Sequence, residues 1–444
     1  MNQSSSNRLI AWYGDDFTGS TDALEALASN GLRAVLFLHQ PEDQFFSQFS
    51  EYEGFGLAGS SRSQTPDWMD AHLPAAFEWV RSLKTPVCHY KVCSTFDSAP
   101  DVGNIGRAIE IGKRVFDTRC VPVLVGTPSL RRYVVFGNLF ATADATTWRI
   151  DRHPTMSRHP VTPMHEADLT LHLARQTSLP VRSFNILDLV NEDVAERFEA
   201  VASSAPIVVI DTLDQASLLN AGRLLWTGRS RRSFIVGSSG VEYSLTEWWR
   251  NAGVIAPPVT PASVAATDRL LVVSGSCSPV TERQIADADR NGFTSIRLDA
   301  RALADGDDRE TVVSAAIRAA SDALTRDRSV VLYSAAGPGD TISANGIGDD
   351  FRRRIAEDTG RVLCGVLDRS GVQRVVVAGG DTSSHAGKQL QIDALTYVAP
   401  LAPGAPLCRA WSRRPERNAL EVVFKGGQCG ADDFFSLAKD GRAG

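Results

Sequence analysis

The amino-acid sequence predicts an α/β protein of two domains, each a mainly parallel sheet flanked by helices. Three observations predict this class. Short apolar runs recur along the chain, end in clusters of Gly, Ser, Thr or Asp, and give way to helical periodicity, as expected of strands buried on both faces and joined by crossover helices. The length of 444 residues exceeds one usual core. The stretch GVIAPPVTPASVAATD sets three prolines among small residues and reads as an interdomain linker. The expected division is therefore residues 1–252, a linker over 253–267, and residues 268–444.

The first unit is LIAWYGDDFTGSTDALEAL. An apolar run over 9–13 breaks at Gly14 into Asp15 and Asp16, after which Ala23, Leu24, Leu27 and Ala28 recur at helical spacing. Ser20 or Thr21 is expected to cap a helix running to Gly31. Both acids sit at the carboxyl end of a strand, where parallel sheets collect their ligands, although an ordinary β-α turn with an aspartate cap has the same spacing. Further strands are expected over 34–38, 55–59, 87–92, 121–125, 186–190, 207–211 and 234–239. Helices are expected from about Pro66, to Lys113, and, rich in tryptophan, to about Asn251.

Gly54, Gly56 and Gly59 spell G-x-G-x-x-G, but no helix opens on the last of them, which argues against a dinucleotide fold. Residues 151–168, with three prolines, read as a long loop or lid. Within it, beside Asp168, His153, His159 and His165 stand six residues apart and lack the spacing that would set them as metal ligands on one helical face. The second half restarts as α/β, with strands over 270–273, 330–333, 374–378 and 421–424. Helices are expected from about Glu282 and from around Phe351 to Leu367.

With 43% hydrophobic and 22% charged residues, extended disorder is not expected. The formal charge of −6 lacks the basic footprint of phosphate-backbone binding, so nucleic acid is not an expected partner. No stretch approaches the ~18 apolar residues of a membrane span, and the apolar run near the start is better used as a strand than as a secretion signal. The seven cysteines are scattered without any C-x-x-C, which suits reduced thiols in a cytoplasm.

Four strand ends in the second half carry phosphate-cradling residues: Ser274, Gly275 and Ser276; Gly337 and Gly339; Gly379, Gly380, Asp381 and Thr382; and Lys425, Gly426, Gly427 and Gly430. Glycine lets backbone N–H groups approach an anion, hydroxyls add donors, and a following helix N-terminus adds positive potential. No P-loop is present, since Gln389 follows Gly387 and Lys388. Asp381 suits Mg²⁺ as a hard oxygen ligand, or is a helix cap. The first half offers Asp15, Asp16, Arg62, Lys91, Ser94 and Thr95. Carboxylates suit sugar hydroxyls and the two cations suit a carboxylate or phosphate, so this mixture describes an acidic polyol.

In this order, GDDFTGSTD, KVCSTFDS with GNIG, HPVTPM, GSSG, SGSCSPVT, GGDT, PGAP and KGGQCG resemble the four-carbon acid sugar kinase family over nearly the whole chain. The resemblance implies an N-terminal acid-sugar domain, a C-terminal nucleotide domain, a site in the cleft between them, and transfer of the ATP γ-phosphate, with Mg²⁺, to a hydroxyl. It puts the substrate set on Asp16, Arg62, Lys91, Val92, Cys93 and Ser94, to which Asp15 is added from its place at the same strand end; for the transfer, Asp16 is the expected base or hydroxyl-orienting group and Lys91 the group expected to offset charge. The nucleotide set falls on Ser276, Gly379, Gly380, Asp381, Thr382 and Gly427. KVCSTFDS is similar to the branch acting on 3-oxo acids such as 3-oxo-tetronate or 3-oxo-isoapionate, with threonate or erythronate kinases as the alternative. Departures at Ala99–Val102, in SLRRYVVFGNLF, and at Cys429 bear on the choice of acid. The other expected partners are none among membranes and, as a candidate assembly, a homodimer. A sugar-acid dehydrogenase and a non-enzymatic sugar-acid sensor are the rival classes.

Overall fold

The computed structural model describes residues 8–143, 145–159, 161–230, 233–258, 264–305, 308–337, 339–340 and 349–443. Two compact units emerge, Met1–Val35 with Gln40–Val259, and Leu36–His39 with Thr260–Gly444. Residues 259–263 of the proline-rich stretch lie outside the described residues, as do Pro160 of HPVTPM and the Asp381 side chain. The short segment Leu36–His39 grouping with the second unit was not expected. There Leu38 donates its N–H to the Asp393 carbonyl (3.0 Å).

In the first unit the strands run Gly54–Ala58, Ile10–Gly14, Val87–Lys91, Phe234–Gly237, Val121–Leu124, Ile207–Ile210 and Val181–Phe184 across a parallel sheet. Ile10–Gly14 is buried along its whole length, as its unbroken apolar run requires. From this strand the chain passes through the strand Ala34–Phe37 to Gly54–Ala58 on one side and then returns to Val87–Lys91 on the other. Such a reversal opens a crevice at the carboxyl ends of the two central strands. The glycines of G-x-G-x-x-G lie in and just after a strand, and a Cβ on Gly56 would come within 2.2 Å of the Trp12 ring. They serve close packing.

Several expectations are corrected. Residues 186–190 are not a strand: Asn185 accepts the N–H groups of Leu187 and Asp188 and caps the helix Ile186–Leu189, while the edge strand is Val181–Phe184. The first helix, Phe17–Ala28, is capped by Asp16 and not by Ser20 or Thr21, whose hydroxyls bond back to the carbonyls of Asp16 and Thr18. A three-stranded antiparallel sheet, Arg132–Val135, Asn138–Ala143 and Thr146–Arg149, was not foreseen. Its tight turn places Phe136 and Gly137 at positive φ, and the Asp211 carboxylate accepts both of their N–H groups (2.5 and 2.9 Å).

The second unit orders parallel strands Thr294–Arg297, Val330–Tyr333, Leu271–Ser274, Arg374–Ala378 and Glu421–Lys425, followed by the antiparallel Ala405–Trp411 and Ala394–Ala402. Here too winding reverses, between Leu271–Ser274 and Arg374–Ala378. No helix among the described residues is long and apolar enough to cross a membrane.

Beside the first crevice, His172 of helix Leu169–Ala174 is buried, and its Nε2 lies 2.9 Å from both Ser98 Oγ and Gln176 Nε2. Gln176 also accepts the Ile105 N–H (2.7 Å), so one latch ties three segments. Burial pushes the His172 pKa down to about 4. Protonation must therefore oppose folding: the contribution is complete above the unfolded value near 6.5 and is lost as pH falls towards 4, up to about 3 kcal/mol. Melting curves from pH 7 to 4 are expected to show this loss, and His172→Gln to show a shallower acid limb; parallel limbs would contradict the linkage.

Candidate functional site

Asp15 and Asp16 follow the first strand, Arg62 follows Gly54–Ala58, and Lys91 ends the neighbouring strand. The backbone binds these ends together, with Asp15 N–H donating to the Lys91 carbonyl (2.8 Å) and Arg62 N–H to the Asp15 carbonyl (2.9 Å). The Arg62 guanidinium grips both Asp15 oxygens, from Nε (3.0 Å) and Nη2 (2.7 Å), and reaches Asp16 Oδ2 from Nη1 (2.9 Å). Among the described residues three of its five N–H donors are thus used, leaving two for a ligand. Arg62 is 22% and Asp16 19% exposed, whereas Asp15 is 4% exposed, so solvent reaches the first two and Asp15 holds the clamp from behind.

Burial pushes the Asp15 pKa up to about 6 against the pull of Arg62. Burial opposes the Arg62 charge as well, but Asp15 and Asp16 hold its pKa well above the ordinary value. Asp16 has a second duty: Oδ1 accepts the Gly19 N–H (2.7 Å) and Oδ2 the Thr18 hydroxyl (2.8 Å), capping the helix.

Lys91 is buried, with Nζ 3.0 Å from Asp22 Oδ2 and donating to the Val92 carbonyl at 3.0 Å. Burial disfavours its charge, but Asp22 and Glu242 raise its pKa above the ordinary lysine value. Glu242 lies in the first turn of helix Gly240–Asn251 and meets His89 Nδ1 at 2.6 Å, both side chains fully buried. A Cβ built on Gly19 would lie 3.3 Å from Arg62 Nη2, 3.5 Å from Lys91 Nζ and 2.4 Å from Asp16 Oδ1. A side chain there would clash with Asp16, so glycine lets Asp16, Arg62 and Lys91 converge on the first turn of the helix.

Of the remaining expected substrate residues, Val92 has a buried side chain and gives its N–H to the Gly237 carbonyl (2.7 Å), so it acts as scaffold. Cys93 and Ser94 are half-buried on the turn that follows. Cys93 Sγ lies 2.8 Å from Thr95 Oγ1, which donates to Asp97 Oδ1 (2.5 Å), and burial together with Asp97 pushes the thiol up to about 11. Burial opposes the Asp97 charge, yet Arg62 and Thr95, with His159, keep its carboxyl below the usual range. The 151–168 segment thus brings His159 to this turn, with Thr162 donating its N–H to His159 Nδ1 (3.1 Å).

In the second unit three glycine-bearing turns interlock. Ser276 accepts the Ser278 N–H (3.2 Å) and lies 3.1 Å from Thr281 Oγ1, which donates to the Gly427 carbonyl (2.9 Å). A Cβ on Gly427 would come within 2.3 Å of Ser276 Oγ, and one on Gly275 within 2.2 Å of Thr382 Oγ1. Gly379 has φ of 113°, which an L side chain rarely adopts, and leads directly into helix Gly380–Gln389. Backbone donors and a helix N-terminus beside small hydroxyl residues are chemistry suited to a polyphosphate. Among the described residues no three His, Cys, Asp or Glu side chains are grouped to hold a metal ion.

Sequence reasoning missed Asp22, His89 and Glu242. Glu242 could have been flagged as an acid three residues beyond Ser239 in GSSG, on the opening turn of a helix.

A family model described as a sugar-binding N-terminal domain matches residues 10–245, and one described as a nucleotide-binding C-terminal domain matches residues 271–435. The chain is 46% identical to the 3-oxo-isoapionate kinase of Paraburkholderia graminis, across 98% of this chain and 94% of that protein. It is 30% identical to the 3-oxo-tetronate kinase of Cupriavidus necator, across 97% and 96% of the two chains. Crystal structures of a Salmonella typhimurium LT2 protein (TM-score 0.77, 22% identity, 97% and 98% covered) and of Haemophilus influenzae protein HI1011 (TM-score 0.72, 22% identity, 97% and 99% covered) share the fold.

Proposed function

Because the chain belongs to the four-carbon acid sugar kinase family, we propose that it transfers the γ-phosphoryl group of ATP to a hydroxyl of a 3-oxo acid sugar, with 3-oxo-isoapionate or 3-oxo-tetronate as acceptor. Residues 1–252 bind the acid, 253–267 link, and 268–444 bind the nucleotide. The observation that carries the acid reading is the convergence of Arg62 and Lys91 with the partly exposed Asp16 carboxylate on the first helical turn, at Gly19. Two free Arg62 donors suit the acid's carboxylate, and Asp16 orients the attacking hydroxyl and takes its proton. Lys91, fixed by Asp22, offsets the charge that builds up on the transferring group.

Phosphoryl transfer is chiefly positioning and charge stabilisation, which suits a site made of fixed cations and backbone donors. The nucleotide lies along Ser276, Gly379, Gly380, Thr382 and Gly427. Magnesium, when bound, would neutralise the polyphosphate, and Asp381 would be a hard oxygen ligand for it beside oxygens of phosphate and water.

A coupled ADP-release assay over 3-oxo-isoapionate, 3-oxo-tetronate, threonates and erythronate tests this reading. Release is expected with the 3-oxo acids; release only with threonate or erythronate reassigns the acceptor. Binding of acid without ADP release would make the protein a sensor, and an acid-dependent NAD(P)H absorbance change would make it a dehydrogenase.

A further inference from the structure

Lys425 ends the strand Glu421–Lys425, and its side chain is fully buried. Its Nζ has no hydrogen-bond partner among the described residues. An ammonium in that position is costly, because burial disfavours the charged form of an unpaired group. Its surroundings explain why a cation would be held there. Lys425 pairs in register with Ala378, and Ala378 with Ser274, so the three residues form one row at the carboxyl ends of three parallel strands. Directly paired residues of a parallel sheet share a face.

The turns leaving that row carry Ser276, Gly379 and Gly427, and Gly379 donates its N–H to the Lys425 carbonyl (2.9 Å). On the side-chain face stand Val423, two residues back along the strand, and Phe434, whose ring centroid is 5.7 Å from Nζ.

We propose that Lys425 supplies the positive charge that meets the phosphates of the bound nucleotide from beneath the turn at 426–430. The proposal rests on the nucleotide reading of the second unit and adds to it a cation, which Ser276, Gly379, Gly380, Thr382 and Gly427 lack. The surrounding charges agree. Burial lowers the Lys425 pKa to about 8, and Cys429, on the same turn, is the titratable group that raises it. The neighbouring elements present Ser274, Ala378, Gln284 and Phe434, none of which titrates in this range. A polyphosphate arriving beside the amine favours its charged form, so nucleotide binding draws in a proton.

Calorimetry on the full chain at pH 8, in two buffers of different ionisation enthalpy, tests the proposal. The unaltered protein is expected to take up a fraction of a proton with ATP, because burial lowers the Lys425 pKa to about 8 and leaves the amine partly neutral in the free state. Lys425→Met is expected to lose that uptake and to weaken ATP about tenfold or more, while adenosine affinity stays within about twofold. Proton uptake in the unaltered protein requires no variant, so a Lys425→Met chain that failed to fold would leave the first measurement decisive. No proton uptake by the unaltered protein, unchanged ATP affinity in Lys425→Met, or equal weakening of adenosine and ATP would overturn the role of Lys425. Failure of the unaltered protein to bind ATP would instead overturn the nucleotide reading itself.

Discussion

Arg62→Lys is expected to lower kcat/KM for the acid by about 10²-fold or more while ATP affinity stays within about twofold. The guanidinium serves two carboxylates from one planar fork, Nε and Nη2 on Asp15 and Nη1 on Asp16. A lysine ammonium is a point charge that can sit against either acid but cannot reproduce the two-oxygen grip. Asp15, 4% exposed, would then be left with part of its charge unmatched in a position that burial already penalises. The two donors that remain for a ligand would also lose their fixed direction. Arg62→Met would be less informative, because stripping the cation from two adjoining carboxylates can cost about 3–5 kcal/mol and unfold the region. Steady-state kinetics with each substrate varied, calorimetry with ATP and a melting curve separate these effects. Unaltered kcat/KM in a folded Arg62→Lys protein would remove Arg62 from the acid site.

The selectivity of that expected loss depends on features that were legible in the sequence to different degrees. The strands Val330–Tyr333 and Arg374–Ala378 have the bounds their apolar runs announce, because buried parallel strands are unbroken runs that stop at Gly, Ser or Thr. Asp15, Asp16 and Arg62 were legible as strand-end residues, and their mutual grip follows from the strand order. Residues 186–190 misled because ILDLV is apolar enough for a strand, while Asn185 at the cap decides for a helix. The antiparallel strands at 132–149 and 394–411 are half-exposed or bulged and carry no clean run. His89 and Glu242, 153 residues apart, are joined only by the fold, so nothing local marks the pair that stands behind Lys91. The capping role of Asp16 was legible as an alternative, and the structure makes it compatible with a role in chemistry.

That double duty makes Asp16 the residue on which two variants must disagree. Asp16→Asn retains an oxygen for the Gly19 N–H, and asparagine caps helices about as well as aspartate, so the melting temperature is expected to hold within a few degrees. It loses the negative charge facing Arg62 Nη1 and the ability to take a proton, so kcat is expected to fall about 10²-fold or more with nucleotide affinity unchanged. Asp16→Ala loses the cap as well, which adds a destabilisation of about 1 kcal/mol to the same loss of turnover. If Asp16 were only a cap, the loss of turnover would disappear from the first variant: asparagine would keep both stability and turnover, and alanine alone would lose stability. In that case the hydroxyl proton would have to pass to another group. Asp15, the neighbouring acid, is a poor substitute, since its two oxygens are engaged by Arg62 and almost no solvent reaches it. The partly exposed carboxylate beside Arg62 and Lys91 is that of Asp16, and its loss of charge must register in kcat if transfer runs through this site.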